Sequence, residues 1–309
     1  MTFSLTRRAA LTGAAALPLA ATAASVATAG GHGGKAGLPH ARTFQLGSMG
    51  VTTLLDGTFP REGAKDAFGS TATQEEFDKI SAENFISNDK VQFYFTPTLA
   101  DTGEELVLFD TGLGQGGITK ALAEAGVTPD AVDVVVLTHM HPDHIGGLMT
   151  DGAPTFPNAR YVTGRAEYDG WMASGQNRVT DLMATNVTPL AEKMTFVEDG
   201  ATVAPGVTAM AAFGHTPGHM VYMLESGDAR MVLTADLANH YVWSFAKPDW
   251  PFGFDGDKDA ASASRRNILG MLASERIPMV GYHMPFPGAG YVETRDDGFR
   301  FVPVGYQLG

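Results

Sequence analysis

Three of the nine histidines in this chain fall within six consecutive positions, and an aspartate lies among them. The segment reads LTHMHPDHIGGL and contains His139, His141, Asp143 and His144. Imidazole and carboxylate groups bind divalent transition metals, and Asp143 is also placed to carry a proton. A surface turn or a group of core histidines is the alternative, but four donors so closely spaced favour a metal site.

The spacing of these four groups indicates two neighbouring metal ions. His139 and His141 are two residues apart at the end of an expected strand, where alternate side chains share a face. Asp143 and His144 follow in a turn that begins at Pro142. One ion cannot easily take four ligands from so short a segment, so we expect each pair to bind its own ion. The chain has no cysteine, and these ligand types suit Zn, Mn, Fe or Co.

Other candidate ligands stand where further strands are expected to end. His215 and His219 lie in GHTPGH, Asp236 ends the run MVLTAD, and His283 ends MVGYH. The carboxyl ends of strands are where α/β proteins place their ligand sites. With the first cluster, these residues complete a seven-ligand set for two ions.

The elements that must position these residues alternate between strands and helices. The strand preceding the first cluster reads AVDVVVLTH, a nearly continuous apolar run that predicts burial on both faces. Two mixed halves, 43–190 and 191–309, are expected to form one α/β domain. Helices are expected at 117–127, at the end of 160–172, at 180–194 and at 257–276, and a hairpin is expected to turn at 296–298. The other expected strands are 49–59, 90–99, 105–112, the start of 160–172, MTFVEDG, VTAMAAFGHT, HMVYMLESG, ARMVLTADL and IPMVGYH.

The order of the motifs matches a known family. HMHPDH fits the signature H-x-H-x-D-H, and LFDTG, GHTPGH, TAD and YHMPFPG follow in the same order. In these motifs the chain resembles the metallo-β-lactamase superfamily. HPDHIGGL, FPNARYVTGRAEYDGWM and HMPFPGAGYVE are most similar to its secreted branch, which contains methyl parathion hydrolase as well as lactone and aryl-ester hydrolases. The resemblance implies an αβ/βα four-layer sandwich, with two sheets face to face, helices outside and metals at one edge.

The resemblance also implies a role for each candidate ligand. His219 matches a position that does not bind metal, which implies a hydrogen-bonding role. Asp110, in LFDTG, matches a carboxylate that orients a ligand histidine. One ion is implied to bind His139, His141 and His215, the other to bind Asp143, His144 and His283, and Asp236 to bridge the two.

The expected cofactor is a pair of divalent ions, with Zn²⁺ first among the candidates. Two such ions lower the pKa of a shared water towards neutrality, so that a bridging hydroxide can attack without a nucleophilic side chain. The chain has no cysteine and no G-x-S-x-G motif, which fits that chemistry. Asp143 and Asp236 are the expected catalytic residues, with Asp143 as a candidate proton shuttle.

Aromatic residues are the candidates for a substrate pocket. Trp171 aligns with an aromatic residue of the leaving-group pocket in the methyl parathion hydrolase branch, and packing in the core is its alternative. The loop 239–256 contains five aromatic rings, which either cover a hydrophobic substrate, pack within the loop or form a homodimer contact. They are Tyr241, Trp243, Phe245, Trp250 and Phe252. The acyl-homoserine lactonase branch carries a tyrosine three residues after the bridging aspartate, where this chain has Asn239.

We therefore expect a metal-dependent hydrolase that opens lactones, among them acyl-homoserine lactones, or cleaves carboxylic esters. A phosphotriesterase of the methyl parathion hydrolase type is the alternative, and a non-catalytic metal-binding protein on the same fold is a remote one. The expected partner is a small-molecule substrate. The formal net charge of −13 argues against nucleic acids and anionic membranes as partners.

The N-terminal segment is typical of an export signal. Residues 1–29 contain Arg7 and Arg8, an apolar run and a final Ala-Thr-Ala, which together predict a signal peptide. The paired arginines favour twin-arginine export, although Ala10 leaves general secretory export open. Residues 30–42 are expected to be a flexible leader before a catalytic domain at 43–309, and the protein is expected in the periplasm or outside the cell.

Overall fold

The computed structural model of the chain describes residues 39–305. The expected signal peptide and residues 30–38 of the expected leader lie outside these residues, so export remains a prediction. The strands of the described part are, in chain order, β1 (Ala41–Leu46), β2 (Met49–Leu54), β3 (Gly57–Glu62), β4 (Lys90–Phe95), β5 (Thr98–Asp101), β6 (Leu106–Phe109), β7 (Val134–Leu137), β8 (Met149–Thr150), β9 (Ala153–Pro154), β10 (Arg160–Gly164), β11 (Met194–Val197), β12 (Thr202–Ala204), β13 (Val207–Ala211), β14 (Met220–Ser226), β15 (Ala229–Ala235), β16 (Met279–Gly281), β17 (Ala289–Arg295) and β18 (Gly298–Pro303).

The α-helices lie between the strands. The longest of them begins after Asp257, whose side chain accepts a hydrogen bond from the Ala260 N–H and so caps the helix. None of the helices between residues 39 and 305 is long and apolar enough to cross a membrane. The helices are α1 (Ala64–Phe68), α2 (Gln74–Glu83), α3 (Gly117–Glu124), α4 (Pro142–Ile145), α5 (Arg165–Ala173), α6 (Arg178–Asn186), α7 (Trp243–Ala246) and α8 (Lys258–Glu275).

Two seven-stranded sheets form the centre of the described domain. The first has the strand order β1-β2-β5-β6-β7-β10-β11, and it is parallel from β6 to β11. The second has the order β12 to β18 and is antiparallel except where β15 pairs with β16. The expected four-layer α/β sandwich is confirmed.

Separate apolar clusters join the layers. Between the sheets, Val134 and Val136 of the first sheet belong to the same buried cluster as Tyr222 and Leu233 of the second. Helices α3 and α6 cover the outer face of the first sheet, and α8 covers the outer face of the second. Burial of apolar surface on both faces of each sheet supplies the main stabilisation of such a fold.

Strand β7 shows why its apolar run is continuous. Val134 and Val136 point into the cluster between the sheets, whereas Val135 and Leu137 point into the cluster under the helices. All four side chains are fully buried. The expected strand buried on both faces is thus confirmed, and it places the histidine cluster at its carboxyl end.

Two expected boundaries were wrong. Strand β11 pairs in parallel with β10 in the first sheet, so the division between the halves falls between Val197 and Thr202, not at residue 190. Strand β1 begins at Ala41 because Ala41 and Arg42 pair with β2, which is two residues before the expected domain start at 43. In both places the bounds of an edge strand depend on its pairing with a neighbouring strand, which the local sequence pattern does not predict.

The strand ends bring the chemistry-bearing residues together. Strands β6, β7 and β10 of the first sheet are followed by Asp110, the HMHPDH segment and Glu167 of α5, respectively. Strands β15 and β16 of the second sheet are followed by Asp236 and His283. Because these ends lie on one edge of the sandwich, the side chains of both halves meet there.

Candidate metal centre

Seven side chains at this edge form two adjoining clusters. The potential ligand atoms within each cluster lie within 4.8 Å of one another. All are buried except His141 and Asp143, which are half-buried. The first cluster contains His139, His141, His215 and Asp236, and the second contains Asp143, His144 and His283.

The HMHPDH segment forms a loop and one helical turn. Strand β7 ends at Leu137, so His139 and His141 lie just beyond it and not within a strand as expected. Their ring centroids are nevertheless 4.7 Å apart. His141 is the N-cap of α4, and Pro142 occupies the first helical position, where its missing N–H costs nothing. This turn directs Asp143 and His144 to a neighbouring position and thereby separates the two clusters.

Two glycines let this turn approach the loop after β6. A Cβ atom on Gly147 would lie 2.1 Å from the carbonyl oxygen of Thr111, so no larger residue fits there. Thr111 in turn donates from both its N–H and its hydroxyl to the carbonyl oxygen of His144. The close approach that Gly146 and Gly147 permit therefore fixes the backbone of His144.

The Asp236 carboxylate lies between the two clusters. Its Oδ2 atom is 3.3 Å from Nε2 of His215 in the first cluster and 3.1 Å from Nε2 of His283 in the second. Its Oδ1 atom is 3.3 Å from Nε2 of His144. A carboxylate in this position can bind two ions at once, as the bridging role of Asp236 requires.

Two neighbours hold Asp236 in this orientation. Nε2 of His219 accepts the Asp236 backbone N–H at 3.1 Å, while Nδ1 of His219 donates to the carbonyl oxygen of Ala212. Burial lowers the pKa of His219 to about 3, so its ring is neutral. The Asn239 side-chain amide donates to Asp236 Oδ2 at 2.9 Å. The geometry gives His219 the hydrogen-bonding role that was expected of it.

Asp110 contacts the ligand candidate that the family motif indicates. Its Oδ2 atom lies 2.8 Å from Nδ1 of His144, and its Oδ1 atom accepts the Thr138 N–H. Burial alone would lower the pKa of His144, but Asp110, with help from the other nearby carboxylates, raises it well above the usual value. Asp110 thus fixes the ring of His144 with Nε2 directed at Asp236.

Asp255 plays the same part for His215, although no sequence pattern indicated it. Its Oδ1 atom lies 3.0 Å from Nδ1 of His215, and its Oδ2 atom pairs with the buried guanidinium of Arg265 on α8. Burial alone would lower the pKa of His215, but hydrogen bonds to Asp236 and Asp255 raise it to about 9. Asp255 lies 40 residues from His215 in a loop, so no local spacing connects them.

The unpaired polar atoms of the site fit bound metal ions. Nε2 of His139 is buried and has no hydrogen-bond partner, and Nε2 of His144 and Oδ1 of Asp236, although 3.3 Å apart, form no hydrogen bond of normal geometry with each other or with another group. Nearly all buried polar atoms in proteins have a hydrogen-bond partner. Burial also lowers the pKa of His139 and His141 well below the usual value, so both rings are neutral, as metal binding requires. The donor set, nitrogen and oxygen without sulfur, suits two divalent transition-metal ions.

Aromatic rings surround the clusters on two sides. The ring of Trp171, which is half-buried, lies 6.0 Å from that of His141. The ring of Phe252 stacks 6.0 Å from that of His215, and Phe254, which is 51% exposed, packs against Phe252. Trp171 thus lies beside the metal centre as expected, and so does Phe252 of the aromatic loop, while Phe254 is a wall residue that the sequence did not single out.

The expected pocket roles of Trp243 and Phe245 were wrong. Both side chains are fully buried. Trp243 stacks on Phe77 of α2 and donates its indole N–H to Ser81, because a buried indole needs an acceptor. Phe245 packs against Phe301 of β18. Packing within the molecule, the alternative considered for this loop, accounts for both rings.

Tyr241 is also displaced from the metal centre. It is half-buried and lines a surface cleft between α2 and the β17–β18 hairpin. Among the described residues that line this cleft, none is one of the seven expected ligands. A homodimer contact of this loop remains a prediction.

Comparison with known proteins agrees with the geometry. The family model described as Metallo-beta-lactamase superfamily matches residues 96–279. An N-acyl homoserine lactonase of Bacillus cereus is 30% identical over 186 residues, which are 55% of this chain and 70% of that relative. The solved structure of AidC, a dizinc quorum-quenching lactonase with a bound product, has a TM-score of 0.80 and 28% identity, covering 86% of this chain and 98% of AidC. The hydrolase AbOPH has a TM-score of 0.79 and 24% identity over 88% of this chain and 99% of its own, a likeness of fold alone.

Proposed function

This chain belongs to the metallo-beta-lactamase superfamily, and from that membership we propose that it opens N-acyl homoserine lactones with two metal ions. The observation that carries the proposal is the position of the Asp236 carboxylate, within 3.3 Å of His215 in one cluster and of His144 and His283 in the other. Similarity to the Bacillus cereus lactonase and to AidC supports the choice of a lactone as the substrate.

The seven clustered side chains are the proposed ligands, and Zn²⁺ is the proposed metal. The unpaired nitrogens of His139 and His144 support this assignment, since a buried imidazole nitrogen without a partner is costly. When bound, two such ions lower the pKa of water and polarise a carbonyl group. AidC, which is described as a dizinc enzyme, supports zinc over manganese, iron or cobalt.

The proposed reaction is the addition of water to the lactone carbonyl. A bond forms between the water oxygen and the carbonyl carbon, the ring C–O bond breaks, and the ring oxygen takes up a proton to give the hydroxy acid. Asp143 is the proposed carrier of that proton. Its Oδ2 atom is 3.5 Å from Nε2 of His283 and its side chain is 20% exposed, so it faces both the clusters and the solvent. The Tyr282 hydroxyl donates to its backbone carbonyl and holds it there.

The aromatic wall is the proposed seat of the acyl chain. Trp171 beside His141 and Phe252 with Phe254 beside His215 offer apolar surface at the mouth of the first cluster. Phe93 and Phe95 of β4 approach His283 edge-on, at 5.3 and 5.5 Å between ring centroids. A lactone whose carbonyl lies over the clusters would place its alkyl chain against one of these surfaces.

The same wall also suits an aryl leaving group, which favours a phosphotriester as the second candidate substrate. The test is to compare kcat/KM of the zinc-loaded protein for N-acyl homoserine lactones, simple lactones, aryl esters and an aryl phosphotriester. We expect acyl-homoserine lactones to lead by at least a factor of about 100, equivalent to about 2.7 kcal/mol of transition-state stabilisation. A lead for the phosphotriester would contradict the proposal, and so would the absence of turnover in protein that holds two zinc ions.

A further inference from the structure

Glu167 is a buried carboxylate with four hydrogen-bond donors around it. Its side chain is 0% exposed. Its Oε1 atom accepts the Met140 N–H at 2.8 Å and the Trp171 indole N–H at 2.7 Å. Its Oε2 atom accepts the Thr216 hydroxyl at 2.6 Å and the Gly218 N–H at 2.8 Å. Such a fully satisfied carboxylate is a firm connection between the groups that donate to it.

Three of the partners of Glu167, namely the N–H groups of Met140 and Gly218 and the hydroxyl of Thr216, belong to the two loops that carry the first cluster. Met140 lies between His139 and His141 in one loop, and Thr216 directly follows His215 in the other. Gly218 is pressed against α5, since a Cβ atom there would lie 2.0 Å from the Glu167 backbone nitrogen. One side chain therefore connects the loop of the first two histidines to the loop of the third.

We propose that Glu167 is a positioning residue that holds His139, His141 and His215 at the spacing the first metal ion needs. Through the indole N–H of Trp171, the same carboxylate fixes the aromatic wall beside that ion. The inference depends on the metal site of the proposed function, but it concerns metal binding and not the substrate.

The second cluster is held by different groups. Asp110 holds His144, the Tyr94 backbone carbonyl lies 2.8 Å from Nδ1 of His283, and Tyr282 holds the backbone of Asp143. The hydrogen bonds of Glu167 reach none of these residues. Loss of the Glu167 carboxylate should therefore weaken one metal site and spare the other, whereas a general loosening of the fold would weaken both.

The substitution Glu167→Gln tests this connection with almost no change in volume. A carboxylate accepts at both oxygens, but the glutamine amide places an NH₂ group on one side. Each oxygen of Glu167 faces at least one N–H that cannot turn, from Met140 and Trp171 on one side and from Gly218 on the other. Whichever way the amide turns, one buried N–H loses its acceptor and meets a second donor.

The experiment measures zinc affinity by chelator competition in two backgrounds that each retain one cluster. His283→Ala disables the second cluster, and His215→Ala disables the first. We expect E167Q to weaken zinc binding about 10- to 100-fold in the His283→Ala background and less than about threefold in the His215→Ala background. Tyr282→Phe is the matched control, and it should show the opposite pattern because it removes the hydroxyl that holds the backbone of Asp143.

The proposal would be overturned if E167Q weakened zinc binding equally in the two backgrounds, or if it did not weaken zinc binding in the His283→Ala background. Urea unfolding of the metal-free variants checks that each of them is folded. If E167Q does not fold, Thr216→Val removes a single hydrogen bond to Oε2 and should give a smaller loss in the same background only. These titrations contain no substrate, so a protein that opens no lactone but shows the selective loss would contradict the proposed function and leave the role of Glu167 standing.

Discussion

Asp255 Oδ1 lies 3.0 Å from Nδ1 of His215, with both side chains buried. The other oxygen of Asp255 pairs at 3.0 Å with Arg265, which projects from α8 and also donates to the carbonyl oxygens of Leu237 and Pro248. The long helix on the outside of the second sheet thus reaches the metal centre through one ion pair. This pair also fixes the loop that follows Asp236.

Asp255→Asn should weaken metal binding and lower stability together. The variant removes the negative charge that holds His215, and we expect zinc affinity to fall about 10- to 100-fold. It also leaves the Arg265 guanidinium buried without its counter-charge, which should cost about 3–5 kcal/mol of unfolding free energy. Chelator competition and urea unfolding measure the two effects.

The matched control is the exposed ion pair between Asp249, which precedes α8, and Arg266, which lies on α8. Asp249→Asn removes a carboxylate whose side-chain hydrogen bonds go to Ser262 and Arg266 and to no histidine. Because exposed pairs contribute at most about 1 kcal/mol, it should leave zinc affinity unchanged. If D255N and D249N have the same zinc affinity and the same unfolding free energy, the connection from α8 to His215 contributes neither to metal binding nor to stability.

Asn239 occupies the position where lactonase relatives were expected to carry a tyrosine. Its amide donates to Asp236 Oδ2 at 2.9 Å, and its own carbonyl oxygen is buried without a partner. Asn239→Leu should remove a hydrogen bond to a charged group, which is worth about 1.5–3 kcal/mol, and lower kcat about 10- to 100-fold with both metal ions retained. Steady-state kinetics and metal analysis of the purified variant test this, and an unchanged kcat would show that Asp236 needs no such support.

Trp171 should affect substrate binding more than chemistry. Trp171→Ala removes the wall beside His141 and should raise KM for long-chain lactones about 10-fold, while kcat changes less. Trp171→Phe keeps an aromatic ring, so its KM should lie between those of the parent protein and of Trp171→Ala. Met172→Ala, at a neighbouring side chain that is 56% exposed, should match the parent protein. A rise in KM that is as large for Met172→Ala would indicate a general effect on α5.

The domain should lose stability in acid, partly through His240. Burial lowers the pKa of His240 to about 3, against 6.5 in the unfolded chain. Its contribution to stability is therefore present above pH 6.5 and is lost as the pH falls from 6.5 towards 3, by about 1.4 kcal/mol per pH unit. Nδ1 of His240 accepts the N–H groups of Val242 and Trp243, a role that an asparagine oxygen can fill.

His240→Asn should therefore reduce the loss of unfolding free energy in acid by about 1.4 kcal/mol per pH unit. Urea unfolding at several pH values between 4 and 7, on the variant and the parent protein, measures the difference. His240 is not a proposed ligand, so metal release contributes equally to both proteins. If the unfolding free energies of the variant and the parent protein depend on pH in the same way, His240 takes up its proton as readily in the folded protein as in the unfolded chain.

The sequence predicted the ligand candidates because their spacing is local or follows strand ends. His139 to His144 lie in one turn, and Asp236 and His283 each follow an apolar run, so periodicity alone located them. The groups that orient these ligands were harder to find. Asp110 came from a family motif, whereas Glu167 contacts Met140, 27 residues away, and Asp255 contacts His215, 40 residues away, with no repeating pattern between them.

The aromatic residues show a second limit of prediction from sequence. Trp171 and Trp243 both lie in short helices that follow a strand, α5 after β10 and α7 after β15. Trp171 borders the metal centre, whereas Trp243 packs against α2. Composition identifies such rings but not the direction in which they point. That direction depends on the packing of α2 and α7, and α2 was not expected even though Thr73 and Glu76 form a capping box at its start.

The most direct test of the two-metal account is a zinc titration of metal-free protein with lactone turnover as the signal. We expect turnover to be absent without metal, to rise with added zinc and to level off at two equivalents per chain, because the Asp236 carboxylate lies between the two clusters. Asp236→Ala should abolish turnover at every zinc concentration. Full turnover at one equivalent, or turnover that persists after complete metal removal, would contradict the two-metal mechanism.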